Sequence, residues 1–345
     1  MKALVYYGPY DLRLEERPIP VPGAGEVLIK VRAVSICGSD LGAYKLPQIS
    51  DRWKPPIVLG HEFSGEIAGL GEGVEGFHKG QSVTANPILY CGECYYCKQG
   101  KINLCPNRYS LGTSIGGVAH DGAMQEYLTI RASALYPLEH GITFEQGALM
   151  EPLAVSLCAA RTGDTGNEES VVVIGAGPIG LMILKLLKAS GKKKIIISDI
   201  LPERLELAKK NGAYKTIDGR NDLVSRVKEL TDNIGVNRVL VAAGTPDILN
   251  KSFEIVCNGG NIVLVALMHQ KIQIDPMQIV SRGISLIGSY MFTDEIKDVM
   301  SDVAKKKIIV DDLITGVFPL KDGVGVFQDL CKPDAKNIKV ILKPG

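Results

Sequence analysis

The stretch VVVIGAGPIG, Val171 to Gly180, opens a run that continues through an apolar helix pattern to KKIIISD, ending at Asp199. Val171 to Ile174 are four consecutive β-branched residues, the composition of a strand buried on both faces. Gly175, Gly177 and Gly180 follow at the G-x-G-x-x-G spacing. The first glycine permits a tight turn, the second lets backbone approach a pyrophosphate, and the third lets helix pack on strand. A helix starting near Pro178 and Ile179 would aim its free N–H groups at those phosphates. Leu181, Ile183, Leu184, Leu186 and Leu187 give it an apolar face. Ile195 to Ser198 reads as the next strand. Asp199 at its end offers a carboxylate to the two ribose hydroxyls of NAD and would repel the 2′-phosphate of NADP. The glycine pattern alone is a weak signal. Strand, glycine turn, helix, strand and acid in one unit point to a dinucleotide site.

Outward from this unit, strand and helix signals alternate. A helix is expected from Pro202 to Asn211, a strand at 214–217, a helix near 221–230 and a strand at 238–242. A helix at 246–257 leads to strands at 261–267 and 284–288. Six strands with intervening helices make a doubly wound α/β domain with a six-stranded parallel sheet over about 153–288. Residues 1 to about 150 differ: short alternating runs at 3–7, 26–34, 63–70 and 82–85, separated by Gly- and Pro-rich turns, read as a β-rich domain. From 289 the chain returns to that first domain. A helix at 294–305 would bury Ile296, Val299, Met300 and Val303, and a strand at 339–342 would close the sheet. The expected division is 1–152 with 289–345, and 153–288.

At 345 residues, each domain is large enough for its own core. Hydrophobic residues at 46% against 22% charged match an ordinary soluble protein. A net charge of +1 gives no field to attract nucleic acid. The opening MKALVYYGPYDLRLEE turns polar too soon for a signal peptide, and no apolar run approaches the ~20 residues of a membrane span. Four of the 8 cysteines cluster within 91–105. That suits a metal site in a reducing compartment, and the expected location is the cytoplasm.

Two constellations in the β-rich domain carry metal chemistry. The first joins Cys37, in SICGSD, with His61 and Glu62, in VLGHEFSG. Thiolate, imidazole and carboxylate are all competent zinc ligands, and catalytic zinc draws such ligands from separate loops while keeping a labile position. A further acid, Glu151, stands in MEPLAV. Singly, each has a bland reading: a small core cysteine, a satisfied loop histidine, a solvated charge. The second constellation is Cys91-x2-Cys94-x2-Cys97-x7-Cys105. Four thiolates at this spacing fit a closed structural zinc site. An iron–sulfur cluster is the competing reading, weakened by a last gap of seven rather than three.

Together these pieces resemble the zinc-dependent medium-chain dehydrogenase/reductase family, in its polyol (sorbitol-like) branch, along almost the whole chain. The resemblance rests on CGSD at Cys37, GHEFSG at Gly60, the four-cysteine lobe, DGAMQEY at Asp121, MEPLAV at Met150 and VVVIGAGPIG at Val171. It implies a GroES-like β-rich catalytic domain interrupted by a Rossmann domain. It also implies NAD and two zinc ions per chain, one catalytic and one structural. Cys37, His61 and Glu62 match catalytic zinc ligands, and Glu151 matches an acid that binds that zinc or holds its water. Asp40 would accept a hydrogen bond from His61, and Ser39 matches a hydroxyl in the proton path. Cys91, Cys94, Cys97 and Cys105 match the structural site. Arg204 matches a residue near the adenosine of NAD. Val265, Ala266, Leu267, Ser289 and Tyr290 fall where the family touches the nicotinamide. A homodimer or homotetramer is implied as well.

The expected activity is hydride transfer between NAD and a secondary alcohol of a polyol, polyol phosphate or vicinal diol, including the butanediol type. Two departures bear on the substrate. Where polyol dehydrogenases often carry a histidine after CGSD, this chain has Gly42 and Ala43. Where they often carry an arginine and an aromatic after the last Rossmann strand, it has Met291 and Phe292 in GSYMF. A zinc-free reductase of the same fold would have no use for Cys37, His61 and Glu62. A non-catalytic NAD-binding protein is the remaining alternative. Cys158, Cys257 and Cys331 read as core residues in helical stretches. His78, His120, His140 and His269 read as surface or loop residues.

Overall fold

A computed structural model describes residues 1–46, 53–115, 117–166, 170–268, 270–332 and 335–345. His269 lies outside the described residues. The chain divides into two compact units, Met1–Pro152 with Ile296–Gly345, and Leu153–Glu295. The return to the first unit therefore falls at 296, later than the expected 289.

In the first unit, β1 (Lys2–Gly8) and β2 (Asp11–Glu16) form an antiparallel hairpin. β3 (Glu26–Ser35) alternates buried with half-buried residues and then runs fully buried at its end, so one face meets the core throughout. α1 (Gly38–Lys45), β4 (Ile57–Val58), β5 (Glu62–Leu70) and β6 (Ser82–Ala85) follow. A small lobe carries β7 (Ile88–Leu89), α2 (Tyr95–Lys98) and β8 (Tyr109–Ser110). Next come β9 (Tyr127–Arg131), β10 (Leu135–Pro137) and α3 (Phe144–Gly147). Thr143 and Gln146 close the start of α3 as a reciprocal capping box. α4 (Met150–Arg161) carries the chain into the second unit.

The second unit is β11 (Ser170–Ile174), α5 (Pro178–Ala189), β12 (Lys194–Asp199), α6 (Pro202–Lys210), β13 (Lys215–Asp218) and α7 (Leu223–Leu230). It continues through β14 (Val236–Val241), α8 (Pro246–Ile255), β15 (Val256–Leu264), α9 (Pro276–Arg282) and β16 (Ser285–Gly288). Its six strands stand in the order β13-β12-β11-β14-β15-β16, and every pairing is parallel. β11 occupies the middle, and Val171, Val172 and Val173 are fully buried. Burying each contributes about 1.5–3 kcal/mol. The strand order reverses between β11 and β14, which makes their carboxyl ends the switch point of a doubly wound sheet.

α10 (Glu295–Ala304), β17 (Ile314–Pro319), α11 (Gly323–Leu330) and β18 (Lys339–Lys343) end the chain. α10 buries Ile296, Val299, Met300 and Val303, as its spacing predicts. The large sheet of the first unit runs β10-β6-β5-β3-β18-β17, with β9 also paired to β3. The last strand therefore sits beside the third, joined through Ile341–Ser35 and Leu342–Val34.

Sequence and structure part in a few places. The helix expected to reach Cys257 stops at Ile255, and Cys257 lies half-buried in β15, because the β-branched Val256 already takes extended geometry. Cys158 and Cys331 are half-buried, with Cys331 packed against the core of the first unit. β2 and α9 carry too few apolar residues in period to stand out in the sequence.

Candidate functional site

The register of β3 against β5 brings together residues far apart in sequence. Ser35 stands opposite Glu62. Cys37 follows Ser35 by two residues and caps the N-terminus of α1, while His61 directly precedes β5. One ligand atom each from Cys37, His61 and Glu62 lie within 4.8 Å of one another. His61 and Glu62 are buried and Cys37 is half-buried.

Asp40, fully buried on the first turn of α1, supports the group. Its Oδ2 accepts the Cys37 backbone N–H at 3.0 Å. Its Oδ1 stands 3.7 Å from His61 Nδ1. That is an ion-pair distance rather than the hydrogen bond expected from the sequence, since the carboxylate is anchored through its other oxygen. Both Asp40 Oδ1 and His61 Nδ1 are buried without a hydrogen-bond partner. Burial alone would lower the pKa of His61, but Asp40, Cys37 and Glu151 together raise it well above its ordinary value. Such negative surroundings favour a cation, which a proton or a metal ion can supply.

Glu151 is buried on the first turn of α4, outside the three-residue group. Burial raises its carboxyl to about 7, with His61 and Lys339 pulling down and Glu62 and Asp40 pushing up. Ser39 is half-buried on the first turn of α1. The sequence reading missed Lys339, which it took only as the start of a strand. Lys339 is 2% exposed, and its Nζ is ion-paired with Glu62 Oε2. Burial lowers its pKa, yet Glu62 and Cys37 outweigh that and raise it. A lone lysine in the apolar run IKVIL was the available signal.

The four-cysteine lobe is gathered as well. Sulfur–sulfur distances are 3.5 Å for Cys94–Cys97 and Cys105–Cys91, 3.8 Å for Cys94–Cys105 and 4.0 Å for Cys91–Cys97. A tetrahedron with zinc–sulfur bonds of ~2.3 Å has edges of about 3.8 Å. Backbone N–H groups of Glu93 and Cys94 pull the Cys91 thiol down to about 6. Donor set and spacing both fit structural zinc. The mixed sulfur, nitrogen and oxygen set at Cys37, His61 and Glu62 fits a zinc site with room for a further ligand.

In the second unit, the residues expected to hold the dinucleotide follow the carboxyl ends of the parallel strands. Gly175 to Gly180 follow β11, Asp199 ends β12, Val265 to Leu267 follow β15, and Ser289 and Tyr290 follow β16. Gly177 caps α5 with no side-chain cap, so the first N–H groups of that helix are left for a ligand. A Cβ at Gly177 would find no protein atom nearer than Arg204 Nη1 at 3.8 Å. A Cβ at Gly180 would lie 1.7 Å from Gly175 O. Gly180 is thus required by packing, whereas the protein leaves space at Gly177 that a pyrophosphate would use. Asp199 is held from both sides: Oδ2 accepts Ala176 N–H at 2.7 Å and Oδ1 accepts Leu201 N–H at 2.9 Å. Arg204 Nη1 stands 3.8 Å from Asp199 Oδ2. Val265 and Ala266 donate to Val241 O at 3.1 and 2.9 Å. Ser289 N–H donates to Leu264 O at 2.9 Å, and its hydroxyl reaches Cys158 Sγ at 3.9 Å. Leu267 is exposed. In the GSYMF stretch, Met291 takes a left-handed φ of 55° and Phe292 is fully buried.

The two glycines give contrasting expectations. Gly180→Ala should destabilise the second unit by ~3 kcal/mol through overpacking, read by urea or thermal unfolding. Gly177→Ala should leave unfolding within about 1 kcal/mol of the parent and weaken NAD binding at least ~10-fold, read by calorimetric titration. Equal effects on folding from both would contradict these roles.

Both units of the chain resemble known proteins. Residues 23–140 match the family model of the alcohol dehydrogenase GroES-like domain, and residues 178–305 match that of zinc-binding dehydrogenases. The chain is 32% identical over 347 residues to a sorbitol dehydrogenase of Bacillus subtilis strain 168, covering 100% of this chain and 97% of that protein. It is 38% identical over 268 residues to an L-threonine 3-dehydrogenase of Pyrococcus horikoshii, covering 77% and 75%. An alcohol dehydrogenase structure from Escherichia coli CFT073, complexed with NADH, superposes with a TM-score of 0.92 at 30% identity, covering 99% of each chain. Among the described residues, no helix is long and apolar enough to cross a membrane.

Proposed function

From the premise that this chain belongs to the zinc-binding alcohol dehydrogenase family with a GroES-like domain, we propose that it interconverts a secondary alcohol and its ketone with NAD. The alcohol belongs to a polyol, a polyol phosphate or a vicinal diol. The reading carries with it one catalytic and one structural zinc per chain, and a homodimer or homotetramer in the cytoplasm. The observation that supports it most is the convergence of Cys37, His61 and Glu62 within 4.8 Å, backed by buried Asp40 and Glu151.

Zinc, when bound, supplies Lewis acidity, the property that lowers the pKa of water from 15.7 to about 7. Cys37, His61 and Glu62 would hold it. Asp40 would fix the orientation of His61, acting across 3.7 Å. Glu151 would hold a ligand water or enter the ligand set itself. The Ser39 hydroxyl, half-buried on the first turn of α1, would accept the substrate proton and pass it to solvent. NAD, when bound, supplies the hydride acceptor. Gly175, Gly177, Pro178, Ile179 and Gly180 would hold its pyrophosphate and Arg204 would flank its adenosine. Asp199, already oriented by Ala176 and Leu201, would accept hydrogen bonds from the ribose hydroxyls. Val265, Ala266, Leu267, Ser289 and Tyr290 would line the nicotinamide end.

The 38% identity to an L-threonine 3-dehydrogenase favours a second reading, oxidation of a β-hydroxy amino acid. One panel separates the two: sugar alcohols, their phosphates, vicinal diols and L-threonine, each with NAD and with NADP, followed as reduced nicotinamide. The expected result is a rate with NAD on a polyol, polyol phosphate or diol, at least ~10-fold above that with NADP. A rate on L-threonine alone would select the second reading. No rate on any of them, from protein that holds zinc and binds NAD, would overturn both.

A further inference from the structure

Among the described residues, Lys339 is the lysine buried within the candidate metal site, and the roles assigned above leave it unused. Its position follows from the sheet. Glu62 on β5 stands opposite Ser35 on β3, and Ser35 stands opposite Ile341 on β18. Side chains two apart on a strand share a face. Lys339 therefore projects on the same face as Ile341, Ser35 and Glu62. Ser35 between them is small and fully buried, so the lysine stem can cross the end of β3. Lys339 Nζ pairs with Glu62 Oε2 and lies 3.4 Å from Ile36 O. The Ile36 N–H donates to Val340 O at 2.9 Å, which ties the backbone leading into Cys37 to the strand that carries the lysine.

Two consequences follow for a metal at Cys37, His61 and Glu62. First, one oxygen of Glu62 is already committed to an ammonium, which leaves the other as the donor. A carboxylate that shares its charge with a lysine is a weaker donor than a free one. Second, a buried positive charge is fixed next to the place a divalent cation would occupy, where screening by water is small. Both effects loosen the metal and leave it more electron-poor.

On the reading that these three residues hold zinc, we propose that Lys339 is a positioning residue that keeps Glu62 a one-oxygen, weakened ligand and competes with the metal for its charge. A purely structural lysine, buried to fill space at the start of β18, would have no such effect on the metal.

The test uses full-length protein with zinc retained in the four-cysteine site and cobalt(II) exchanged into the labile site. The intensity of the cobalt visible bands reports coordination number, and transfer to a chromophoric chelator reports metal release. Lys339→Met is expected to slow release at least ~10-fold, an effect equal in size but opposite in direction to that usual on losing a group that contacts a metal ligand. It should also weaken the visible bands as Glu62 offers both oxygens and coordination rises above four. Lys339→Arg keeps the positive charge beside Glu62 and is expected to release the metal at least as fast as the parent, because its planar fork can hold both carboxylate oxygens. Release from Lys339→Met that is unchanged or faster overturns the proposal, as does release from Lys339→Arg as slow as from Lys339→Met. Lys339→Met is expected to need metal for stability, because Glu62 then loses the ammonium it is paired with. Insolubility that added zinc fails to prevent therefore also overturns it. If the parent itself takes up no labile cobalt, the reading of the three ligands fails first; if it does and the variants match it, only the role of Lys339 fails.

Discussion

Cys37→Ser is expected to leave the protein folded and to lower alcohol turnover by about 10³-fold or more. Serine matches cysteine in shape and is itself a favoured helix cap, so the start of α1 tolerates the change. What is lost is an anionic sulfur donor, because a serine hydroxyl stays protonated where a thiolate would bind. Lewis-acid stabilisation of developing charge is worth several kcal/mol, and each 1.36 kcal/mol is about tenfold in rate. Zinc analysis should fall by one ion per chain while far-ultraviolet dichroism stays unchanged. Full activity in this variant would remove Cys37 from the catalytic site.

Cys94→Ser is expected to act in the opposite order, on stability first. The lobe from Cys91 to Cys105 has little else to hold it. α2 is four residues long and buries nothing, while Tyr95, Tyr96 and Leu104 are exposed. Structural zinc contributes roughly 10–16 kcal/mol in isolated zinc-finger peptides. Because only a lobe depends on it here, a loss of ~3 kcal/mol is a lower expectation, or roughly 10 °C in Tm for a unit of this size. Scanning calorimetry and limited proteolysis within 91–105 would read it, and the folded fraction should keep its turnover. An unchanged Tm with two zinc ions retained would contradict the structural role.

The dinucleotide unit was legible in the sequence because its signals are local. Strand, glycine turn, helix and acid lie within the 29 residues from Val171 to Asp199, and the packing need at Gly180 is visible in the spacing itself. The four cysteines were legible for the same reason. Cys37, His61 and Glu62 were legible as competent ligands, but that they form one site rested on resemblance, because the register of β3 on β5 brings Cys37 to His61 and no periodicity announces a register. Lys339 was hidden for a stronger form of that reason. It meets Glu62 across two strand pairings and 277 residues of chain. Asp40 was placed correctly, yet the hydrogen bond expected to His61 is an ion-pair contact of 3.7 Å, a difference no sequence pattern carries. Element ends slipped where β-branched residues overlap a helix pattern, as at Val256.

The central claim is that a metal held by Cys37, His61 and Glu62 is required for oxidation of the alcohol. Its most direct test is to follow zinc content per chain and NADH formation together during graded removal by a chelator. Two zinc ions per chain are expected at the start. Activity should fall in proportion to the first ion released, with the second retained in the four-cysteine lobe, and should return on adding zinc. Undiminished NADH formation after the labile ion is gone would contradict the claim.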